Sequence, residues 1–597
     1  MRPLINLNLA VIGNCSYSAL IDSHARIVWC CLPRFDSEPQ FCSLLNNSTE
    51  DVQGEFAVDL LDVASSKQRY RPNTPIVETE LRDETGSAIL ITDFAPRFKR
   101  FGRVFRPAAI FRQVRRLAGT PRIRVRLRPV GGFSQQRPEI THGSNHIRYV
   151  TSDLTLRLTT NASVNYILEE VPFIVDAPLN MFLGPDETLT VPVSEAFRDY
   201  FQETEQYWVE WSRYLSLPFE WQEVVNRAAI TLKLSHFEET GAVIAAPTTS
   251  IPEAPDSGRN WDYRFCWLRD SYFVVHALNA LGATKTMEGY LNYIMNIAAM
   301  SEKGYLQPVF GITLNQELHE AEITSLAGYR GMGPVRVGND AFRQVQNDGY
   351  GSVILSCTQT FFDSRLSRKG DETLFRRLEV LGQRAAEYWN QPDAGLWELR
   401  QRQEVHTYSS VMCWAACDRL AKISNRLGLN ERAEYWALKA TQIRDEILEK
   451  AWNHELNSFT STFGGDTVDA VLLLMPSIGL ISGQDPRFAS TVAQIEKELR
   501  RGAHIARYSG EDDFGRPQVA FNACTFWYID ALVMLGRKVE ARELFDNMLA
   551  ARNPLGLLSE DIDPATGELW GNFPQTYSMV GLIHSAMKLS KSWEDAF

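Results

Sequence analysis

The spacing of apolar residues along this chain changes near Glu203, from every second residue to every third or fourth. Before that point, segments such as 123–128 and 154–158 alternate apolar and polar side chains, and glycine-containing turns separate them. Such alternation predicts half-buried strands. Many short strands without intervening helices are typical of antiparallel sheets with one face in water. Residues 1–202 are therefore predicted to form an antiparallel β-sandwich.

After Glu203 the spacing predicts helices only. Residues 203–218 are predicted to be a helical linker, and residues 219–597 are predicted to contain about twelve helices. Examples are 220–236, 268–281, 284–300, 372–388, 409–427, 431–450, 525–535 and 539–549. A pair of such helices is too thin to bury its own apolar face, so the pairs are predicted to close into a ring. The chain is therefore predicted to have two domains, a β-sandwich followed by an all-α (α/α)6 barrel.

Overall composition narrows the classes of function. A length of 597 residues supports two domains, and the formal charge of −12 without a long basic run argues against nucleic-acid or anionic-membrane partners. The nine cysteines show no recurrent zinc spacing, so no metal or other cofactor is expected. Scattered thiols and the absence of an export signal predict a cytoplasmic protein. The pattern says nothing about oligomeric state.

Two glutamates in the carboxyl-terminal half lie in glycine- and aromatic-containing loops. Glu398 ends the segment GLWE, and Glu560 ends the segment GLLSE, which GNFPQ follows at 571–575. Cleavage of a glycosidic bond needs one protonated carboxyl to donate to the leaving oxygen and one ionised carboxyl to act on water or on the sugar. The two loops therefore indicate a sugar-cleaving enzyme, which the residues around them must support.

The richest polar segment is RNWDYRFCWLRD at 259–270. Arg269 beside Asp270 combines a forked donor with an acceptor, which suits adjacent sugar hydroxyls, and Tyr263 and Trp267 offer aromatic surface. A structural alternative stays open, in which Asp270 only complements the positive end of its helix. The acidic pair at 512–513 suggests a metal site, but no second acidic cluster lies at a suitable place.

These motifs together resemble glycoside hydrolase family 15. The resemblance rests on RNWDYRFCWLRD, GLWE, a loop with QNDG, an ARY segment and GLLSE followed by GNFPQTYS, and WCCLPRFDS near the amino terminus is similar to the bacterial branch. It covers essentially the whole chain. The family contains glucoamylases, glucodextranases, isomaltose-releasing enzymes and some bacterial trehalases. Membership implies a β-sandwich, an (α/α)6 barrel and an inverting mechanism that releases β-glucose from an α-linked substrate.

The resemblance also implies roles for individual residues. Glu398 corresponds to the general acid and Glu560 to the general base. Residues implied to bind substrate are Tyr263, Trp267, Arg269, Asp270, Leu396, Trp397 and Arg507. Of these, Arg507 is implied to contact the departing group. Bacterial members often have Asp-Val-Tyr-Gly-Glu where this chain has DGYGS at 348–352, and histidine where it has Met579. Neither departure touches the acid or the base, so only the preference beyond the first glucose is affected.

The function expected from the sequence is an inverting exo-acting α-glucosidase. Its partner would be a small α-1,4- or α-1,6-linked oligosaccharide of the maltose or isomaltose type, cut at the nonreducing end. A trehalase of the same family is one alternative, and a noncatalytic carbohydrate-binding protein or a phosphorylase is another. The segment PRFDS at 33–37 is expected either to reach the rim of the pocket or to brace the two domains.

Overall fold

The computed structural model describes residues 5–46, 52–301 and 304–596. In the amino-terminal part, seventeen strands form, and their bounds are β1 Ala10–Gly13, β2 Ser18–Ile21, β3 Ile27–Cys31, β4 Pro39–Phe41, β5 Glu55–Leu60, β6 Val63–Tyr70, β7 Val77–Asp83, β8 Ala88–Phe94, β9 Phe98–Arg100, β10 Arg103–Phe105, β11 Ile110–Ala118, β12 Arg122–Arg128, β13 Glu139–His142, β14 His146–Val150, β15 Thr155–Thr160, β16 Phe173–Ile174 and β17 Leu179–Pro185. All of their pairings are antiparallel.

Two sheets form the predicted sandwich. The first has the order β1-β2-β3-β5-β12-β16, with β4 beside β3, and the second has the order β13-β14-β15-β17-β11-β8-β7-β6. The alternation at 123–128 acts as expected. Ile123, Val125 and Leu127 are buried in the core between the sheets, whereas Arg126 faces outward and pairs with Asp59 on the adjacent strand at 2.6 Å. Arg126 therefore serves the outer face of its sheet, whereas Arg112 on β11 is fully buried beside Asp93.

Fourteen α-helices lie in the described residues, two of them before the barrel. Their bounds are α1 Val164–Leu168, α2 Val193–Arg213, α3 Gln222–Leu234, α4 Leu268–Ala280, α5 Thr284–Met300, α6 Asp348–Phe362, α7 Glu372–Tyr388, α8 Thr407–Leu427, α9 Asn430–Lys450, α10 Met475–Ile478, α11 Pro486–Leu499, α12 Asn522–Met534, α13 Lys538–Ala550 and α14 Thr576–Leu589. The connecting helix α2 begins at Val193, whereas the period change predicted a start near residue 203. The domain limits 1–202, 203–218 and 219–597 stay predictions.

The helices α3 to α14 form the (α/α)6 barrel. Alternate helices make the inner ring, in which α4 packs on α6, α6 on α8, and α12 on α14, which closes the ring against α4. The fourth of the six inner positions, between α8 and α12, is held by the 3-10 turn Ala470–Leu474 and the short α10 that follows it. Short two-residue or three-residue strands lie in the loops, namely β18 Cys266–Trp267, β19 Val309–Phe310, β20 Ala321–Ile323, β21 Val335–Val337, β22 Trp452–Asn453, β23 Ser458–Phe459, β24 Arg500–Arg501, β25 His504–Ile505, β26 Ala520–Phe521, β27 Asp561–Ile562 and β28 Leu569–Trp570.

The connectivity of the barrel places all loops that precede inner helices at the same end of the barrel. Because inner helices are parallel to one another, the loops before α4, α6, α8, α12 and α14 converge there. These loops are the long ones, and they hold the barrel motifs that the sequence analysis selected, whereas segment 33–37 lies in the sandwich. None of the helices in the described residues combines the length and apolarity needed to cross a bilayer. All nine cysteines lie in the described residues, buried and without disulfide partners.

The sandwich packs directly on the barrel. The Trp29 indole donates to the carbonyl oxygen of Pro247 at 2.7 Å. The Asn553 side-chain amide, in the loop that leads to Glu560, donates to the carbonyl oxygens of Leu7 and Leu9 at 3.0 and 2.9 Å. The amino-terminal chain therefore holds a loop of the barrel in place.

Segment 33–37 braces the domains and does not reach the pocket. The carbonyl oxygen of Ser37 accepts from the Arg264 guanidinium at 2.9 Å, and Arg34 turns outward to pair with Asp36 at 3.0 Å. Arg264 is itself buried and forks onto Asp262 at 2.9 and 2.7 Å. Of the two alternatives left open for this segment, the structure supports the brace.

Replacement of Arg264 by alanine is expected to destabilise the protein strongly. The change leaves the buried Asp262 carboxylate without its guanidinium, and breaking a buried pair in this way costs about 3–5 kcal/mol. Chemical denaturation of the full chain measures the effect as a lower transition midpoint. The matched control is Arg34→Ala, which removes an exposed pair and should cost less than about 1 kcal/mol. Equal losses in the two variants would contradict the role of Arg264 as the brace.

Candidate active site

One cavity opens at the end of the barrel where the long loops converge. Its lining combines aromatic and charged side chains and includes both selected glutamates. All nine residues selected from the sequence contribute to the lining, namely Tyr263, Trp267, Arg269, Asp270, Leu396, Trp397, Glu398, Arg507 and Glu560. In the described chain, no residue of the sandwich contributes to it.

Glu398 is held by donors from two neighbouring loops. Its Oε1 accepts from the Trp267 indole N–H at 2.7 Å, from Arg269 at 3.2 Å and from the Gln346 side-chain amide at 3.2 Å. Its backbone has a φ of +57°, in the left-handed region, and the Gln344 amide donates to its carbonyl oxygen at 3.1 Å. Non-glycine residues persist in that conformation only where their surroundings determine it, and such residues cluster at functional sites.

The indole that precedes Glu398 in the sequence does not donate its N–H to that glutamate. Trp397 donates its N–H to Asp469 at 3.0 Å, and the indole bonded to Glu398 belongs to Trp267. Burial raises the pKa of Asp469 to about 7, although the bond from Trp397 lowers it. Asp469 thus anchors one wall of the cavity.

Glu560 lies deeper and more enclosed than Glu398. Only 2% of the residue is exposed, its Oε1 accepts from the Tyr263 hydroxyl at 2.6 Å, and its Oε2 has no hydrogen-bond partner among the described residues. Burial raises the pKa of Glu560 well above its usual value, and the carboxylates of Asp561 and Glu253 raise it further. Arg507 and the Tyr263 hydrogen bond act in the opposite direction. A buried carboxyl oxygen without a partner is a position where a water molecule can be held and activated.

The two glutamates are linked by a pair of aromatic side chains. Tyr263, bonded to Glu560, packs edge-on against Trp267, bonded to Glu398, with ring centroids 5.4 Å apart. The two carboxyls therefore line one cavity and are each bonded to a different ring of this pair. This arrangement suits a pair of carboxyls that act on two faces of one substrate.

The bottom of the cavity carries a buried cluster of charge. Arg269 lies 3.6 Å from Asp270 and 3.5 Å from Asp348, and it donates to the Gln346 side chain at 2.8 Å. Burial raises the pKa of Asp270 to about 6, although Arg269 lowers it. The side chain of Asp348 is buried and neither of its oxygens has a hydrogen-bond partner within the described residues. Asp270 stands in the first turn of α4, so the helix-end alternative and a sugar-binding role are both compatible with its place.

The guanidinium of Arg507 pairs with the carboxylates of Glu253 and Asp561. It donates to Glu253 at 2.6 Å and lies 3.3 Å from Asp561. Glu253 also accepts from the Trp261 indole at 3.1 Å and lines the cavity. Sequence reasoning missed Glu253, Trp261 and Tyr577, because a lone glutamate after a proline and aromatic residues inside longer motifs have no signal of their own.

The acidic pair at 512–513 takes part in hydrogen bonds with the protein. Asp512 accepts from Arg259 at 2.6 Å, and Asp513 accepts from the Arg400 backbone N–H at 2.7 Å. No group of three potential metal ligands lies in the described residues. These acids therefore tie loops together.

Comparison with known proteins decides the family. The model described as "Glycosyl hydrolases family 15" matches residues 221–587, and the model "Trehalase-like, N-terminal" matches residues 5–170. The chain belongs to glycoside hydrolase family 15. The family-15 barrel thus coincides with helices α3 to α14, and the sequence resemblance is confirmed.

Two proteins that are similar to this chain over nearly their whole length are both named trehalase. The chain is 30% identical to "Trehalase" of Thermoplasma volcanium, over 97% of this chain and 93% of that protein. It is 31% identical to "Trehalase" of Mycobacterium tuberculosis, over 98% of this chain and 90% of that protein. Among solved structures, a bacterial glucoamylase complexed with acarbose superposes with a TM-score of 0.71 at 13% identity, covering 98% of this chain and 94% of that one. That last similarity shows the fold: a sandwich followed by an (α/α)6 barrel.

The bond between Tyr263 and Glu560 leads to a pH prediction. Tyr263→Phe is expected to lower kcat about ten- to hundredfold, as expected for loss of a hydrogen bond to a charged group. Because that bond lowers the pKa of Glu560, its loss raises the pKa. In the role of base that the resemblance implies for it, Glu560 acts only when ionised, so the acidic limb of the kcat/KM profile should move to higher pH.

The control for this variant is Tyr435→Phe. It removes a hydroxyl that donates to Gln383 at 3.1 Å on the outside of the barrel. The pH profile of the control should equal that of the unchanged protein. A Tyr263→Phe profile with an unmoved acidic limb would show that Tyr263 does not act on the base.

Proposed function

We propose that this protein is a trehalase that hydrolyses α,α-trehalose with inversion at the attacked carbon. The placement of Glu398 and Glu560 in one cavity supports hydrolysis of a glycosidic bond. The choice of trehalose rests on similarity over nearly the full length to proteins named trehalase and on the match to the trehalase-like amino-terminal model. Together these favour the trehalase alternative over the maltose- and isomaltose-type substrates first expected from the sequence.

The mechanism assigns a separate step to each carboxyl. Arg269 and Asp270 bind the hydroxyls of the glucose at the bottom of the cavity, against Trp267. Glu398 donates its proton to the glycosidic oxygen as the bond from C1 to that oxygen breaks. Glu560 accepts a proton from water as the water oxygen bonds to C1 on the opposite face. Exchange of protons with solvent then restores both groups.

The second glucose of trehalose, which departs with the glycosidic oxygen, leaves through the middle of the cavity. Leu396 and Trp397 line its path, and Arg507 donates toward it while Glu253 and Asp561 hold the guanidinium. Retention of both glutamates argues against a noncatalytic binding protein. The presence of Glu560 also argues against a phosphorylase, which would use a phosphate site in place of the base.

The stereochemistry of the products tests the proposal. Trehalose has two α-linked anomeric carbons, and inversion at one of them yields one β-glucose and one α-glucose. Proton NMR in the first minutes, before mutarotation, should show the two anomers in equal amounts. Formation of α-glucose alone would contradict inversion. Hydrolysis of maltose or isomaltose without hydrolysis of trehalose would restore the broader α-glucosidase interpretation, and formation of a sugar phosphate in added phosphate would indicate a phosphorylase.

A further inference from the structure

The mouth of the cavity is surrounded by side chains that join four loops, those before α4, α6, α8 and α12. We name as the collar the residues Arg259, Trp261, Glu320, Arg400, Asp513 and Phe514. Arg400 and Phe514 are exposed, whereas Glu560 and Arg269 at the other end of the cavity are buried. The collar therefore lies where the cavity meets solvent.

Arg400 makes contacts in three directions within the collar. Its guanidinium donates to Glu320 at 2.8 and 3.2 Å and stacks over the Trp261 ring at 4.4 Å. Its backbone N–H donates to Asp513 at 2.7 Å. One residue thus links the loop that carries the acid Glu398 to the loops on either side.

The remaining contacts close the ring. Phe514 packs edge-on against Trp261 with centroids 5.3 Å apart, and Arg259 lies over the Phe514 ring at 5.6 Å. Arg259 also donates to the carbonyl oxygen of Gly515 at 2.7 Å, so the same two loops are joined twice. Widening the mouth would require several of these contacts to break together.

The position of Arg400 in the chain limits the depth available above the acid. Only two peptide links separate Glu398 from Arg400, so their Cα atoms are at most about 7 Å apart. Glu398 acts at the glycosidic oxygen. The backbone that carries Arg400 of the collar therefore lies within about the length of one sugar ring of the backbone that carries Glu398.

We propose that the collar limits the cavity to two hexose units and thereby excludes longer α-glucans. This inference rests on the proposed function, in which the bond between the two glucose units of trehalose lies at Glu398. A substrate with a third unit on the departing side must pass between Arg400, Trp261 and Phe514. To bind such a substrate, the protein must break the ion pair between Arg400 and Glu320 and the contact between the rings of Trp261 and Phe514.

The test uses a trisaccharide in which one glucose of trehalose carries a further α-1,4-linked glucose. Its unsubstituted glucose enters the bottom of the cavity, and its α,α-1,1 bond is the same as in trehalose. The unchanged protein should cleave trehalose and cleave the α,α-1,1 bond of the trisaccharide far more slowly. In Arg400→Ala, the ratio of kcat/KM for the trisaccharide to that for trehalose should rise about tenfold, the lower end of what one pocket contact contributes to discrimination.

Two further variants make the result decisive. Phe514→Ala removes an exposed ring from the collar without touching an ion pair, so it tests the same idea if Arg400→Ala fails to fold. Arg402→Ala changes an exposed arginine in the same loop that does not line the cavity, and its ratio should equal that of the unchanged protein.

Each outcome separates the collar from the proposed function. Equal cleavage of both sugars by the unchanged protein, or ratios in Arg400→Ala and Phe514→Ala that match Arg402→Ala, would overturn the role of the collar while trehalose hydrolysis stands. Absence of trehalose hydrolysis in every protein, with maltose cleaved, would overturn the proposed function.

Discussion

Glu560→Ala is expected to lower trehalose hydrolysis by about 10²–10⁴-fold while the fold stays intact, because general base catalysis contributes a factor of that size. Glu560 is the buried carboxyl with one oxygen bonded to Tyr263 and one without a partner. The variant removes the group that accepts a proton from water and leaves a small space in its place. Steady-state rates on trehalose, with circular dichroism as the check on folding, measure the loss.

Azide separates loss of the base from general damage. Azide needs no deprotonation, so in Glu560→Ala it can bond to C1 from the vacated side as Glu398 protonates the departing oxygen. The expected product is β-glucosyl azide, with the rate rising as azide is added. Glu568→Ala, an exposed position in the same loop, is the control and should keep its rate without azide. Formation of α-glucosyl azide, or no response, would contradict the assignment of Glu560.

Glu398→Gln is expected to abolish most turnover of trehalose and to spare a substrate with a better leaving group. An amide cannot donate the proton that the sugar oxygen requires, so the rate should fall about 10²–10⁴-fold. Fluoride leaves without a proton. Hydrolysis of α-glucosyl fluoride by this variant should therefore fall much less than hydrolysis of trehalose, as measured by fluoride release.

The two glutamate variants should differ in their rates on α-glucosyl fluoride. Glu560→Ala should be slow on both trehalose and glucosyl fluoride, because both need an activated water. Glu404→Gln, an exposed acid near Glu398 in the same loop, should behave as the unchanged protein on both. If Glu398→Gln lost both activities equally, Glu398 would be better described as a binding group than as the acid.

The prediction of the fold succeeded where a repeating pattern was present. Helices α5 and α7 have the bounds that the apolar spacing predicted, and α8 differs only at its first turn. The start of α2 was missed because its amino-terminal half packs Phe197 and Phe201 against the sandwich, so its apolar residues serve an aromatic cluster and not the barrel. A local pattern does not reveal which partner a helix will bury its side chains against.

The prediction of the site succeeded where long motifs were present. RNWDYRFCWLRD and GLLSE led to residues that lie in one cavity, although they are far apart in the chain. The partners of these residues could not be predicted in the same way. Glu253 comes near Arg507 only because the loops before α4 and α12 meet, and the indole next to Glu398 in sequence turns to Asp469. Such pairings depend on three-dimensional contacts between loops.

The hydrogen bonds from Asn553 to Leu7 and Leu9 have a consequence for how this enzyme can be divided. The same asparagine side chain accepts from the backbone N–H groups of Leu555 and Leu557. It therefore fixes the loop that leads to Glu560 and also binds the backbone of Leu7 and Leu9. A barrel expressed alone would lose these two hydrogen bonds at Asn553, seven residues before Glu560. We therefore expect hydrolysis to require the undivided polypeptide, and exchange of the amino-terminal domain among homologues to lower turnover without altering a cavity residue.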